Sequence, residues 1–249
     1  MMRRTVLITG ASAGLGRGMA LQFASRGHDL ALCARRLPEL EVLKAELLAR
    51  HPDIRVEVRA LDVTDHPSVH RVFEEFLQCF GRLDRIIVNA GIGRGVAVGE
   101  GGLQRNLELV ETNFSAALAQ CEAAVALFRR QGAGHLVTIC SVAAIRGLPR
   151  AQTVYGATKA GLAALTEGIR ADLWGSGIKV SAIYPGYIES DIGAGSRHRP
   201  FLVDNVTGSR SLVRAIESER AKSIVPAWPW VPIVFLMRHL PLGWLVRFM

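Results

Sequence analysis

Cysteine is scarce in this sequence, and its few occurrences lie far apart. The chain of 249 residues has four cysteines and no CxxC pair, so neither a disulfide framework nor a cysteine-rich zinc site is expected. A chain of this length buries about three quarters of the surface that its unfolded form exposes, so it needs neither device to fold. We expect a metal-free protein of a reducing compartment, the cytoplasm.

Lysine and aromatic residues are also few. Only four of the 30 basic residues are lysines, aromatic residues make up 6% of the chain, and the net charge is +8. The arginines are scattered or stand in short clusters without interleaved aromatic residues, so nucleic acid is not an expected partner. The positive charge is either spread over solvated faces or attracts anions such as phosphates and acidic lipids.

Long apolar runs are absent as well. No uninterrupted run reaches the roughly 20 residues that a membrane-spanning helix needs. No apolar segment follows Arg3 and Arg4, so a signal peptide is not predicted either. With 49% hydrophobic and 21% charged residues, the composition is that of a globular protein rather than a disordered one.

The most apolar segment is the tail, residues 226–249. It carries three of the four tryptophans and is interrupted by Pro232 and Pro241. Tryptophans near Arg238 and Arg247 are typical of a segment that lies at a membrane surface. The alternative is packing on the chain's own domain or on a partner subunit. In either position the tail can wall an apolar substrate pocket.

Before the tail, short apolar segments alternate with longer amphipathic ones. Strands are predicted at residues 5–9, 29–34, 54–61, 85–89, 135–140 and 179–184. Helices are predicted between them, at residues 14–26, 38–50, 68–80, 103–130 and 152–174. The strands are rich in valine, isoleucine and leucine on both faces, as in a parallel sheet covered by helices on both sides. We predict an α/β fold, a doubly wound parallel sheet flanked by helices on both faces, in a single domain of residues 1–225 followed by the tail.

Three glycines stand between the first predicted strand and the first predicted helix, in the sequence Thr9-Gly10-Ala11-Ser12-Ala13-Gly14-Leu15-Gly16. Glycine lets the backbone turn tightly and approach a ligand closely, and the N–H groups at the start of the following helix attract phosphate groups. Dinucleotide-binding turns occupy this position in the chain. We predict a dinucleotide whose pyrophosphate is held by Gly10, Ser12, Ala13, Gly14, Leu15 and Gly16.

The end of the second predicted strand indicates which dinucleotide is bound. An acidic residue there would bind the ribose 2′-hydroxyl of NAD(H), but the strand is followed by Arg35 and Arg36, and no acidic residue appears before Glu39. Because arginine binds phosphate with paired hydrogen bonds, we expect NADP(H) rather than NAD(H). After the third strand, Asp62 with its neighbour Val63 lies where it can meet the adenine; otherwise Asp62 caps the next helix or turn.

A serine, a tyrosine and a lysine have the chemistry of a carbonyl reductase. Tyr155 and Lys159 share one face of a predicted helix, and Ser141 follows the fifth strand at the edge where ligands bind in such sheets. Carbonyl reduction needs a hydride from a nicotinamide and a proton for the developing alkoxide. We expect the Lys159 ammonium, together with an oxidised nicotinamide, to lower the pKa of Tyr155, and we expect Lys159 to bind the nicotinamide ribose. Ser141 would hydrogen-bond the substrate oxygen.

Together these motifs resemble the short-chain dehydrogenase/reductase family. The resemblance rests on the glycine turn, on Asn89-Ala90-Gly91 after the fourth strand, on Tyr155 and Lys159 with Ser141 upstream, and on Pro185-Gly186 after the sixth strand. It covers about residues 5–192. It implies a Rossmann-type sheet of seven strands, a nicotinamide cofactor, no metal, and dimers or tetramers.

The resemblance also implies a role for individual residues. Tyr155 is the expected general acid/base, Lys159 its partner, Ser141 the group that orients the carbonyl, and Asn113 the holder of a proton-relay water through a kink in its helix. Asn89 is expected to support the sheet beside the adenosine, and Ser190 stands where the family often has threonine. The remaining expected cofactor contacts are Ala90, Gly91, Pro185, Gly186 and Ile188.

The substrate is the least defined part of the prediction. Residues 187–203 are expected to close over it, and Arg197, His198 and Arg199 either meet an anionic group or are solvated. We expect NADPH-dependent reduction of a ketone or β-keto acyl group of an apolar, long-chain substrate. The alternatives are an alcohol, steroid or retinoid dehydrogenase working in the oxidative direction, and a binding protein that senses NADP(H) without turnover.

Overall fold

The computed structural model describes residues 4–93, 95–190 and 199–247, and it contains one seven-stranded sheet. The strands are β1 (Thr5–Thr9), β2 (Asp29–Ala34), β3 (Val56–Ala60), β4 (Arg85–Val88), β5 (Gly134–Ile139), β6 (Ile178–Pro185) and β7 (Lys222–Val225). Their order is β3-β2-β1-β4-β5-β6-β7, with every neighbouring pair parallel. The predicted doubly wound α/β fold is confirmed.

Helices cover both faces of this sheet. They are α1 (Gly14–Ala24), α2 (Leu37–Arg50), α3 (His66–Phe80), α4 (Leu103–Val110), α5 (Ala116–Gln131), α6 (Gln152–Asp172), α7 (Asn205–Glu217), α8 (Ala227–His239) and α9 (Leu242–Arg247). The helix predicted at residues 103–130 is divided into α4 and α5 by a π-helical turn, Glu111–Ser115. The elements α7 and β7 lie outside the segments predicted from the residue pattern.

Each face of the sheet has its own hydrophobic core. Successive strand residues point to opposite faces, so Val6 and Ile8 of β1 pack with α1, α2 and α7, whereas Leu7 packs with α3, α5 and α6. All three side chains are fully buried. This two-sided burial is the reason why the strands are apolar at consecutive positions.

Along the chain, β2 and β3 extend the sheet on one side of β1, and β4 to β7 extend it on the other side. This change of direction determines where a ligand can bind. β2 lies on one side of β1 and β4 on the other, so a crevice opens at the carboxyl ends of β1 and β4. Thr9 closes the base of this crevice, because its hydroxyl accepts hydrogen bonds from the backbone N–H groups of Asn89 at 3.0 Å and Ala90 at 3.1 Å.

The tail forms α8 and α9. On one side of α8, Trp230 and Val234 pack against Val142, which follows β5. Across the described ranges of the chain, no helix combines the length and the apolar character needed to span a membrane. The division of the chain into a domain of residues 1–225 and a tail stays a prediction.

Candidate active site

The glycine turn after β1 lies in the crevice. Gly10 has a φ of +66°, a conformation that side chains disfavour. A Cβ atom on Gly16 would lie 2.3 Å from the carbonyl oxygen of Gly10, so glycine is required for α1 to begin this close to the turn. No side chain caps α1 at Ala13, and no acidic residue lies in its first turn. No side-chain cap of α1 therefore occupies the backbone N–H groups of this turn, and the positive end of the helix dipole can attract an anion in the crevice.

The two arginines after β2 lie near this turn. Both Arg35 and Arg36 are exposed, and Nη2 of Arg36 donates to the Ser12 hydroxyl at 3.2 Å. Glu39 is 3.9 Å from Nε of Arg36. Ser12 thus connects the glycine turn to a cation at the end of the neighbouring strand.

The position after β3 is shaped by a local turn. One carboxylate oxygen of Asp62 accepts hydrogen bonds from the backbone N–H and the hydroxyl of Thr64, at 3.0 and 2.8 Å. Asp65, rather than Asp62, caps α3. Of the two structural alternatives for Asp62, the structure therefore contains the turn and not the helix cap. Asp62 is exposed and Val63 is buried beside it.

Ser141, Tyr155 and Lys159 come together beyond the carboxyl end of β5. Ser141 begins the short helical turn Val142–Ala144, and its hydroxyl accepts from the N–H of Ala143 at 3.1 Å. The half-buried Tyr155 of α6 makes a hydrogen bond with Ser141. Lys159, one helical turn later, is buried, and its Nζ donates to the carbonyl oxygen of Ile139 at 2.9 Å.

Burial has the largest effect on the pKa values of Tyr155 and Lys159. It raises the pKa of Tyr155 above its usual value, while the hydrogen bond with Ser141 acts in the opposite direction. Burial also lowers the pKa of Lys159. Burial acts against the expected lowering of the Tyr155 pKa, because removing the phenol from water disfavours its charged form. The joint effect of Lys159 and an oxidised nicotinamide on this pKa stays a prediction.

Asn113 lies in the π-helical turn and holds the loop after β4. Its side chain is buried, accepts from the N–H of Ile92 at 2.8 Å and donates to the carbonyl oxygen of Ile92 at 2.9 Å. A Cβ atom on Gly91 would lie 3.1 Å from Oδ1 of Asn113 and 3.6 Å from Nζ of Lys159. The Asn89-Ala90-Gly91 segment therefore runs beside both groups, and α4 and α5 are interrupted where the resemblance implied a kink.

Comparison with known proteins gives the family. A family description, short chain dehydrogenase, matches residues 4–200. The chain is a short-chain dehydrogenase/reductase. It is 50% identical over 239 residues to an uncharacterized oxidoreductase of Mycobacterium tuberculosis, covering 96% of this chain and 94% of that one. The resemblance found from the sequence is confirmed, and the chain is an oxidoreductase.

Solved structures of the same fold extend this similarity. Levodione reductase matches with 29% identity and a TM-score of 0.74, over 96% of this chain and 91% of that chain. A short chain dehydrogenase/reductase from Burkholderia phymatum, in complex with NAD, matches with 22% identity and a TM-score of 0.83, over 95% and 94%. The second likeness concerns the fold alone.

The far end of the crevice in this short-chain dehydrogenase/reductase is formed after β6. The N–H of Gly186, next to Pro185, donates to the carbonyl oxygen of Val225 at 2.8 Å. Ile188 is buried and pairs with Val203 in an isolated bridge. A Cβ atom on Gly14 would lie 3.4 Å from Cβ of Ser190. The segment after β6 thus returns to the glycine turn.

The tail packs against the segment that follows Ser141 and against the same apolar cluster as Tyr155. Trp230 is buried against Val142 and makes an edge contact with Tyr187, ring centroids 5.5 Å apart. Met237 and Tyr155 pack against Ala143 and Leu148. A Cβ atom on Gly186 would lie 2.1 Å from Nε1 of Trp230, so α8 contacts the backbone directly.

Arg146 binds the end of α8 through hydrogen bonds. Its Nη1 donates to the carbonyl oxygen of Met237 at 2.9 Å and also to that of Leu240. These are carbonyl groups at the C-terminal end of α8, which lack partners within the helix. The segment that carries Ser141 and the tail are therefore joined by hydrogen bonds as well as by apolar contacts.

Two polar residues of this region were missed by sequence reasoning. The first is Asn106, whose side chain binds the backbone of Val96 in the way that Asn113 binds Ile92. It accepts a hydrogen bond from the N–H of Val96 at 2.9 Å and donates one to the carbonyl oxygen of Val96 at 3.0 Å. The two asparagines are seven residues apart, a spacing that places them on one helical face, and this was the available signal. Arg17 lines a shallow cavity of about 280 Å³ together with Ser12, Pro38, Glu39 and Val42.

Some predicted features are not covered by the structure. Arg197 and His198 lie outside the described residues, whereas Arg199 is half-buried. Within the described ranges, no group of three or more histidine, cysteine, aspartate or glutamate side chains is arranged to hold a metal ion. All four cysteines are free thiols.

Proposed function

We propose that this oxidoreductase reduces the carbonyl group of an apolar substrate with NADPH. The observation that carries the proposal is the position of Tyr155, whose hydroxyl is hydrogen-bonded to Ser141 and whose side chain packs, like Met237, against Ala143 and Leu148. A proton donor and a second hydroxyl beside apolar side chains suit a ketone with an apolar body.

The crevice fits a nicotinamide dinucleotide. The uncapped first turn of α1 and the close approach at Gly16 suit a pyrophosphate, and the exposed Arg35 and Arg36 suit a 2′-phosphate. When bound, the nicotinamide supplies the hydride. The other proposed contacts are Asp62 and Val63 with the adenine, Asn89, Ala90 and Gly91 along the adenosine side, Lys159 with the ribose, and Pro185, Gly186, Ile188 and Ser190 with the nicotinamide.

The phenol of Tyr155 suits the role of the proton donor in this reaction. Its pKa is raised by burial, so the phenol keeps its proton near neutral pH and can donate it to a developing alkoxide. Ser141 would orient the carbonyl through its hydroxyl. Lys159, fixed by Ile139, would hold the ribose and restore the proton, with a water held by Asn113 as the further relay.

A panel of ketones tests this function. The full chain is mixed with NADPH and with methyl ketones of increasing chain length, and NADPH consumption is followed by absorbance. We expect turnover whose kcat/KM rises with chain length, since each buried methylene contributes about 0.8 kcal/mol. Turnover only with alcohols and NADP⁺ would support the oxidative alternative. NADPH binding without turnover of either class would support the sensing alternative and contradict the proposal.

The arginines after β2 are expected to select the cofactor. Replacing both, Arg35→Ala and Arg36→Ala, should weaken NADPH binding by about ten- to a hundred-fold, since charge-assisted hydrogen bonds contribute about 1.5–3 kcal/mol. NADH binding should change by less than about two-fold, because NADH has no 2′-phosphate for a charge-assisted bond. Titration of each cofactor by fluorescence gives the two dissociation constants. Equal losses for both cofactors would show that the arginines do not bind the 2′-phosphate.

A further inference from the structure

The helix α8 carries apolar side chains on both of its sides. Its inner side, against the domain, consists of Trp230, Ile233, Val234 and Met237. Its outer side carries Val231, Phe235 and Leu236, which are 48%, 64% and 53% exposed. A helix between its own domain and water ordinarily has a polar outer side. The apolar residues on the outer side of α8 therefore indicate that this side contacts a second apolar environment rather than water.

This surface extends beyond α8 and is bordered by positive charge. Trp228 at the start of α8, and Leu242 and Trp244 of α9, are also exposed. We call these three residues, together with Val231, Phe235 and Leu236, the outer tail surface. Arg238 and Arg247 are exposed in the last turns of α8 and α9. From residue 220 to the end of the chain there is no aspartate or glutamate. The surface is thus apolar, rich in tryptophan and cationic.

We propose that the outer tail surface docks on a membrane of anionic phospholipids. Tryptophan prefers the interface between lipid headgroups and acyl chains, and arginine binds the phosphates of anionic lipids. The segment would lie in the plane of the membrane, as α8 is fixed to the domain by Arg146. Met237, on the opposite side of α8, belongs to the cluster that contains Tyr155. Docking therefore holds the candidate active site directly beneath the lipid surface.

Charge favours a membrane over a second copy of the chain as the occupant. A two-fold contact through this surface would place the same patch of both copies face to face. The contact would then contain Arg238 and Arg247 of both copies, without an acidic residue from either tail to offset their charge. Like charges brought together in this way oppose association. An anionic membrane offers both the apolar phase and the opposite charge.

Vesicle co-sedimentation of the full chain tests the proposal. We expect binding to vesicles of phosphatidylcholine with phosphatidylglycerol, weaker binding as salt increases, and little binding to pure phosphatidylcholine. Arg238→Gln and Arg247→Gln should each weaken binding about five-fold. The double change Phe235→Ser and Trp244→Ser should weaken it about ten-fold or more. Failure of the unmodified chain to bind at low salt would overturn the proposal without any variant.

Matched controls come from the same chain. Trp174, after α6, is 85% exposed, so Trp174→Ser removes an exposed tryptophan elsewhere, and Arg129→Gln with Arg130→Gln removes two exposed charges from α5. Neither control should weaken vesicle binding as the tail changes do, and equal weakening would overturn the proposal. Light scattering gives the mass of each variant. A fall in mass in the tail variants with vesicle binding unchanged would assign the surface to a second copy and overturn it too.

Discussion

Tyr155→Phe is expected to lower kcat by about 10²- to 10⁴-fold, the usual contribution of a general acid. The ring keeps its packing against Ala143 and Leu148, so the fold and the walls of the site stay the same. What is lost is the proton donor and the hydrogen bond with Ser141. The NADPH dissociation constant should change by less than about two-fold, since the hydroxyl is not required to hold the phosphates. Steady-state kinetics with the best ketone, and NADPH titration, give the two values.

Tyr184 provides the matched control for this change. It is buried in β6, and burial raises its pKa to about 12, so it too is a protonated phenol within the same chain. It belongs to the core between the sheet and the helices rather than to the cluster of Ala143 and Leu148 on which Tyr155 packs. Tyr184→Phe should leave kcat within about two-fold of the original enzyme, because it removes no general acid. If Tyr155→Phe lowered kcat no more than Tyr184→Phe does, the assignment of Tyr155 as the general acid would be wrong.

Gly16→Ala is expected to weaken NADPH binding about a hundred-fold or more, because one added methyl group has no space. Its Cβ would lie 2.3 Å from the carbonyl oxygen of Gly10 and 2.8 Å from Nδ2 of Asn89. Since the first of these neighbours is a backbone atom, α1 has to move away from the turn. The first N–H groups of α1 are then no longer positioned to donate hydrogen bonds to the phosphates. We also expect the free energy of unfolding to fall by about 1–3 kcal/mol. Cofactor titration and denaturant unfolding measure the two effects.

Gly168 shows what the same substitution does where there is space. It is exposed in α6, and a Cβ atom there would have no neighbour within 4 Å. Gly168→Ala should therefore raise the free energy of unfolding by about 0.4–1 kcal/mol, through the lower entropy of the unfolded chain, and leave cofactor binding unchanged. Equal effects of the two substitutions on NADPH binding would remove the steric argument for Gly16.

Most of the sheet was predictable because its strands are buried on both faces, which leaves a clear apolar run in the sequence. β3 is the exception among the first six strands, because half-buried Glu57 and Arg59 alternate with its buried valines. β7 was not found from the residue pattern because it has four residues, Lys222–Val225, of which only Val225 is buried. The division between α4 and α5 leaves no trace in the spacing of apolar residues. It depends on hydrogen bonds between Asn113 and Ile92, which are 21 residues apart.

The candidate site was predictable at the positions that chemistry restricts. Gly16 is required by a backbone contact, and Ser141, Tyr155 and Lys159 are identified by reactive groups at characteristic positions. The pKa of Tyr155 was not predictable, because its direction depends on how far tertiary packing removes the ring from water. The helical form of the tail was also hidden by its prolines. Trp228 has non-helical angles, so the continuous helix begins after it and Pro229 occupies its first turn, where proline is tolerated.

The hydrogen bonds of Arg146 have a consequence for protein engineering. Because this guanidinium binds the end of α8, cutting the chain before the tail would remove both of these hydrogen-bond acceptors and uncover the apolar residues Val142, Ala143 and Leu148. The terminus is therefore not a module that can be removed, or exchanged with that of another family member, to change substrate preference. A chimera would have to exchange the Ser141–Leu148 segment and the tail as one unit.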